Sequence, residues 1–185
     1  DILLSYADFQ KSSPESKSFT DGLSCLRKAP FSLLDSGAYS SWTRGLDVDL
    51  EKYSKFISEH TEGIDNTVNL DVIPGRFGQP LHSKDIVLAA EKGFENFLRL
   101  RDVHGDKILP VYHMGESYEW LEKYIEEKVP YIGLSPRNDR GTVDKIEWLD
   151  GCMKYCLNAD GTPKFKFHSF GTTVWKIMDR YPWFS

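Results

Sequence analysis

Residues 31–42 read FSLLDSGAYSSW. An apolar run from Phe31 to Leu34 leads into the carboxylate of Asp35, then Ser36, then Gly37, where the chain can turn tightly because glycine has no Cβ. This is the order expected of a strand that ends by presenting an acid. Similar runs stand on both sides: ILLSY (2–6), TVNLDVIP (67–74), KILPVYH (107–113), YIGLS (131–135) and FKFHSFG (165–171). Each is short, β-branched or apolar, and reads as a strand.

Between the runs the apolar spacing changes to i, i+3, i+4. It does so at Leu50, Tyr53, Phe56 and Ile57, again from Ile86 to Leu98, and again at Tyr118, Leu121, Tyr124 and Ile125. Val143, Ile146, Leu149 and Met153 repeat it, and Val174, Ile177 and Met178 form a shorter stretch. These are amphipathic helices, with Ser83, Ser117 and Thr142 placed as N-caps and QKSSPESKS (10–18) as a loop.

Strand and helix therefore alternate, which predicts βαβ units and a parallel sheet in an α/β fold. An open doubly wound sheet and a (β/α)8 barrel both fit that alternation. No G-x-G-x-x-G follows a strand and no G-x4-G-K-[ST] occurs, so nothing points to a nucleotide-binding open sheet. Polar residues and glycines instead gather at successive strand ends, as a TIM barrel builds its active rim. The expectation is one catalytic domain over residues 1–185, a barrel with six strands and the beginning of a seventh at WFS (183–185). Such barrels usually take ~250 residues, so the last strands are expected to be missing.

The chain has 185 residues, 23 Lys+Arg against 28 Asp+Glu, and a formal charge of -5. That balance argues against broad, non-specific nucleic-acid binding, which rests on phosphate neutralisation, but leaves room for a local basic patch. No apolar run approaches the ~20 residues of a membrane span, and the start DILLSYADF has no basic n-region. A cytoplasmic protein without membrane contact is expected. Three cysteines, Cys25, Cys152 and Cys156, are too few for a disulfide framework or a zinc knuckle. Reduced thiols are expected, with Cys152 and Cys156 one helical turn apart in the core.

Asp35 and Asp71 are the acids most expected to do chemistry. Asp71 interrupts the apolar VNLDVIP, where an unpaired carboxylate would cost several kcal/mol to desolvate. Two carboxylates on one cavity allow one to hold a proton while the other is ionised. Such a pair suits cleavage or exchange at a sugar anomeric carbon, and both O- and N-glycoside chemistry are open. His113 and His168 also end strands, either as site residues or as hydrogen-bonded structural histidines. A metallohydrolase would want an H-x-H pair on an early strand, and ILLSYADF has none. No metal and no cofactor is therefore expected. Gly133 and Gly171 serve either close approach of a flat ligand or simple turns. Tyr39, Trp42, Tyr112 and Phe170 are either stacking surfaces for a base or core.

Six segments in order, LLDSGAYSSW (33–42), NLDVIP (69–74), LPVYHMGE (109–116), YIGLSP (131–136), FHSFGTT (167–173) and RYPWFS (180–185), resemble the motifs of the tRNA-guanine transglycosylase (queuine tRNA-ribosyltransferase) superfamily. The likeness is greatest to its short phage and bacterial members, some of which place 7-deazaguanines in DNA. It implies a barrel enzyme that replaces guanine in tRNA or DNA by a 7-deazaguanine through a covalent ribosyl-enzyme intermediate. Its partners would be the nucleic acid and the free base, in the cytoplasm, or the host cytoplasm for a phage protein, with a homodimer left open.

By this resemblance Asp35, with Ser36 and Gly37, forms the D-S-G motif whose acid contacts the base and moves a proton. Asp71, beside Asn69, binds the pyrimidine edge of guanine. His113, Gly115 and Glu116 occupy the place of a Gln-Gly-Gly recognition loop and depart from it at His113, Met114 and Glu116. Gly133, Leu134 and Ser135 match a Gly-Leu-Ala segment whose backbone meets the base carbonyl, and His168 and Gly171 lie in the next binding loop. The family's nucleophilic aspartate follows the strand that here begins WFS, so the resemblance places it beyond Ser185. The cysteine-rich zinc site of the tRNA enzymes has no counterpart in this sequence. Arg44, Arg76, Arg137 and Arg140 are candidates for phosphate contacts, or solvated surface charges. Hydrolysis of an N- or O-glycosidic bond by Asp35 and Asp71, and a non-catalytic guanine-binding barrel, are the alternatives.

Overall fold

The structure, a computed structural model, describes residues 1–76 and 79–185. It is mixed α/β with parallel sheets, and the chain divides into two compact units, Asp1–Leu109 and Pro110–Ser185.

In the first unit β1 (Ile2–Ser5) is followed by α1 (Tyr6–Phe9), α2 (Lys17–Lys28), β2 (Ser32–Asp35), α3 (Ala38–Trp42), α4 (Leu50–His60) and β3 (Asn66–Val68). Then come the long α5 (Ser83–His104), a 3-10 turn (Gly105–Lys107) and β4 (Ile108–Leu109). The strands pair in chain order, β1-β2-β3-β4, all parallel, with Ser5 opposite Asp35 and Leu34 opposite Thr67. Every adjacent pair is bridged by helix, as parallel pairing requires.

Leu33, Leu34, Val68, Ile108 and Leu109 are buried from the sheet, and Leu26, Phe97 and Leu100 from helices. An aromatic cluster joins α1, α2 and α4, with the Tyr6 ring 4.9 Å from Tyr53 and 4.8 Å from Phe56. Tyr53 is fully buried and its hydroxyl donates to the Val68 carbonyl at 2.7 Å, tying α4 to the end of β3. Tyr53→Phe removes that donor from a dry environment, so a loss of about 1–3 kcal/mol is expected in urea unfolding. An unchanged midpoint would mean that Val68 finds another donor.

In the second unit the order is β5 (Val111–His113), α6 (Tyr118–Glu126), β6 (Tyr131–Ser135), α7 (Thr142–Cys156), β7 (Lys166–Ser169) and α8 (Trp175–Met178). Its sheet is β5-β6-β7, again parallel and in chain order. Residues 184–185 run beside β7 through Phe184 N–H to Phe167 O and Ser169 N–H to Ser185 O, although they are not strand. Neither sheet shows the strand-order reversal of a doubly wound fold.

Four local expectations need correction. KILPVYH is two strands rather than one, because Pro110, which has no N–H for a ladder, separates β4 from β5. TVNLDVIP is strand only to Val68, so Asp71 lies three residues past the strand and not inside it. The stretch 10–18 does contain a loop, but α2 begins at Lys17, with Ser16 Oγ accepting from Phe19 N–H. Gly22 and the Ser/Thr residues hide that helix; the glycine is there because a Cβ would come within 3.0 Å of the Phe9 ring. Ser117 caps α6, whereas His82 and Gly141, not Ser83 and Thr142, cap α5 and α7. Cys152 and Cys156 are buried free thiols, and burial pushes the Cys156 thiol up to about 12.

Candidate functional site

In the first unit, parallel register brings the ends of β1 and β2 together. Ser5 Oγ donates to Asp35 Oδ2 at 3.2 Å, and the Gly37 N–H donates to the same oxygen at 2.9 Å. Gly37 has φ +78°, a left-handed conformation that turns its amide back toward Asp35. The D-S-G turn expected from sequence is therefore formed, and it opens α3.

Ser36, fully buried, donates through Oγ to Asp71 Oδ1 at 3.4 Å, linking the two acids across 36 positions of sequence. Burial, and next the charge of Asp71, push the Asp35 carboxyl up to about 6; the Gly37, Ser5 and Ser36 hydrogen bonds oppose this without cancelling it. Asp35 can thus release and retake a proton near neutrality, which is what a general acid/base needs. Burial also raises the Tyr53 phenol, with both carboxylates adding to the effect, so Tyr53 stays neutral beside them.

Asp71 lines a cleft of about 400 Å³ together with Trp42, Asp47, Leu70, Lys92 and Asn96. The segment that carries it is held by side-chain amides: Asn96 Nδ2 donates to Leu70 O at 2.9 Å, and Asn69 Nδ2 to Gly93 O at 2.9 Å. Asn69 is wholly buried, and its Oδ1 has no hydrogen-bond partner. Trp42 is fixed by Nε1 donating to Gly75 O at 2.9 Å. Tyr39 is 50% exposed and its ring lies 5.7 Å from that of Trp42, so both keep the character of stacking candidates.

In the second unit, His113 ends β5 and its Nδ1 lies 3.0 Å from Glu116 Oε1, with both side chains nearly inaccessible to solvent. Gly115, at φ +110°, provides the turn between them. The third member of that loop, Met114, is tied to β6 by its N–H to Ser135 O.

Gly133 stands in the middle of β6, not at its end, and its N–H is engaged by Pro110 O at 2.8 Å. Close approach of a ligand to that amide is thereby closed off. Leu134 is fully buried and its carbonyl accepts from Phe170 N–H; Ser135 ends the strand.

His168 Nδ1 lies 2.8 Å from Ser185 Oγ, which also bonds the Tyr131 hydroxyl. Burial brings its imidazole down to about 4, so it is neutral at pH 7. Gly171, at φ +61°, makes the turn after β7. Tyr112 is fully buried and stacked at 5.7 Å on Trp148, a core residue and no platform for a base. Phe170 packs edge-on against His168 at 4.4 Å. Of the arginines, Arg44, Arg76 and Arg140 are exposed and Arg137 forms a two-pronged pair with Asp139.

Ser5, Tyr53, Asn96 and Ser185 are polar partners in these sites that the sequence does not single out. Ser5 lies near the end of the ILLSY run, a weak signal; Tyr53 and Asn96 lie on helices among packing residues and carry none. Among the described residues no group of three or more His, Cys, Asp or Glu is placed to hold a metal ion, and no helix is long and apolar enough to cross a membrane. No protein-family model, curated protein or solved structure matches this chain.

Proposed function

We propose that the protein is a base-exchange transferase of the tRNA-guanine transglycosylase type, acting on guanine in tRNA or DNA and built on a (β/α) barrel. The observation that carries this reading is the linked Asp35–Asp71 pair, one of whose acids has its proton affinity raised to about 6. Base exchange breaks the bond between C1′ and the departing guanine, which leaves with a proton, and forms a new C1′–N bond to the incoming base, which gives a proton up. Asp35 is suited to both halves. Asp71, on the wall of a cleft with aromatic and amide neighbours, is suited to accept from the N–H groups of a guanine edge.

The barrel is supported by parallel strands in chain order, with helix after every strand but β4, and with Ser5, Asp35, His113 and Ser135 all at carboxyl ends of strands. A nucleic-acid substrate and a free 7-deazaguanine place the reaction in the cytoplasm.

Base binding tests the reading on this chain without requiring the covalent step. Calorimetry at pH 7 is expected to show binding of guanine or 7-deazaguanine and not of adenine, weakened roughly 5- to 150-fold in Asp71→Ala, since guanine N–H donors left without their acceptor cost about 1–3 kcal/mol. Unchanged affinity in Asp71→Ala would remove Asp71 from recognition. In the full gene product, labelled guanine is expected to enter tRNA or DNA and to stop entering in Asp35→Asn. Release of base with no incorporation would make the enzyme a glycoside hydrolase instead.

A further inference from the structure

The second unit has a groove of about 700 Å³ at the amino ends of β6 and β7, the opposite ends of those strands from Ser135 and Ser169. Its charged lining residues are Lys128, Lys164 and Lys166, and its walls include Phe165, Trp183 and Phe184. No carboxylate lines it, in a protein whose formal charge is -5.

Among the described residues none of the three lysines is ion-paired. Lys164 Nζ donates to the Tyr155 carbonyl at 2.8 Å, and Lys166 Nζ lies 3.9 Å from the centre of the Phe184 ring. Both contacts leave the charge unneutralised, and the second holds an ammonium over an aromatic face.

Lys128 adds an independent sign. It follows the last turn of α6 with φ +55°, the one non-glycine residue of positive φ among the described residues. Glycine takes that conformation at lower cost, by roughly 1 kcal/mol, and is the common choice just past a helix end. A lysine kept in a strained position at the edge of a cationic groove points to a use for its charge.

We propose that this groove binds the backbone of a single-stranded nucleic-acid segment, the lysines meeting phosphates and the exposed Phe184 ring, with the half-buried Phe165 and Trp183, meeting bases. Cationic tracks interleaved with aromatic side chains are the physical recipe for sequence-tolerant single-strand binding. That the anion is nucleic acid rather than an acidic peptide rests on the base-exchange reading; that it is an anion rests on the groove. The groove gives a large substrate a hold at the opposite ends of β6 and β7 from Ser135 and Ser169.

The test is fluorescence anisotropy of labelled oligo-dT and oligo-rU of about 12 nucleotides, inside the ~4–16-nucleotide range of single-strand sites. Affinity is read against salt for the wild type and for K128Q/K164Q/K166Q. Loss of three phosphate contacts is expected to flatten the slope of log K against log salt by about 2 and to weaken low-salt binding at least ~10-fold. Trp183→Phe is expected to abolish the part of the tryptophan quenching that accompanies binding. Equal affinity and slope in the triple variant, or no wild-type binding at low salt, would overturn the proposal. Displacement of the oligonucleotide by polyglutamate at equal charge concentration would assign the groove to acidic protein instead. Guanine binding measured on the same samples separates the two readings: its survival in the triple variant with no change in oligonucleotide binding overturns only the groove. Its absence from the wild type, with lysine-dependent oligonucleotide binding intact, overturns only the base exchange.

Discussion

Asp35→Asn is expected to make the protein more stable at pH 8 by about 2–3 kcal/mol while abolishing base exchange. The folded protein holds the Asp35 proton up to about pH 6, against an ordinary value of 3.8, because burial and the charge of Asp71 disfavour the ionised form. The stabilising contribution of this group is therefore complete below about pH 4 and is lost as pH rises through about 6. At pH 8 the wild type keeps a carboxylate where a neutral group is preferred, a handicap of about 3 kcal/mol at 1.36 kcal/mol per pKa unit. Asparagine offers one oxygen to the Ser5 hydroxyl and the Gly37 amide and carries no charge. Thermal melts of both proteins from pH 3.5 to 8 are expected to converge at the acid end and separate at the alkaline end. A variant less stable than wild type at pH 8 would mean that Asp35 is stabilised as a carboxylate, and the proton-transfer role would fall with it. Stability gained where activity is lost is the signature of a site strained for function.

Gly37→Ala is expected to cost about 2–4 kcal/mol and to disable the site. An added Cβ would lie 2.7 Å from Ala7 Cβ, 3.0 Å from Ala7 N and 3.1 Å from Ser5 Oγ, at a backbone φ of +78°. The left-handed conformation costs an L-residue roughly 1–2 kcal/mol, and the overlap falls on backbone and on the hydroxyl that supports Asp35. Relief requires the turn to move, withdrawing the Gly37 N–H from Asp35. Urea unfolding measures the first effect and guanine calorimetry the second. Wild-type stability would show that the turn is not held where the Ala7 and Ser5 contacts place it.

The D-S-G turn is written locally: an apolar run, an acid and a glycine within seven positions leave little choice to the backbone. The same holds for the alternation of strands and helices, and for the Cys152–Cys156 pair on one face of α7. Local reading failed where a neighbour distant in sequence decides. Gly22 sits in a helix because the Phe9 ring needs its space. Gly133 offers no free amide because Pro110 already uses it.

The sequence by itself determined the parallel α/β plan, the D-S-G turn and the acids worth watching, since hydrophobic period and turn chemistry act over a few residues. Only the tertiary structure decided that Ser36 joins Asp35 to Asp71, that Asp35 keeps its proton to about pH 6, and that three lysines separated by up to 38 positions share one aromatic groove. Desolvation and charge proximity depend on which segments lie side by side, and no pattern read along the chain contains those distances.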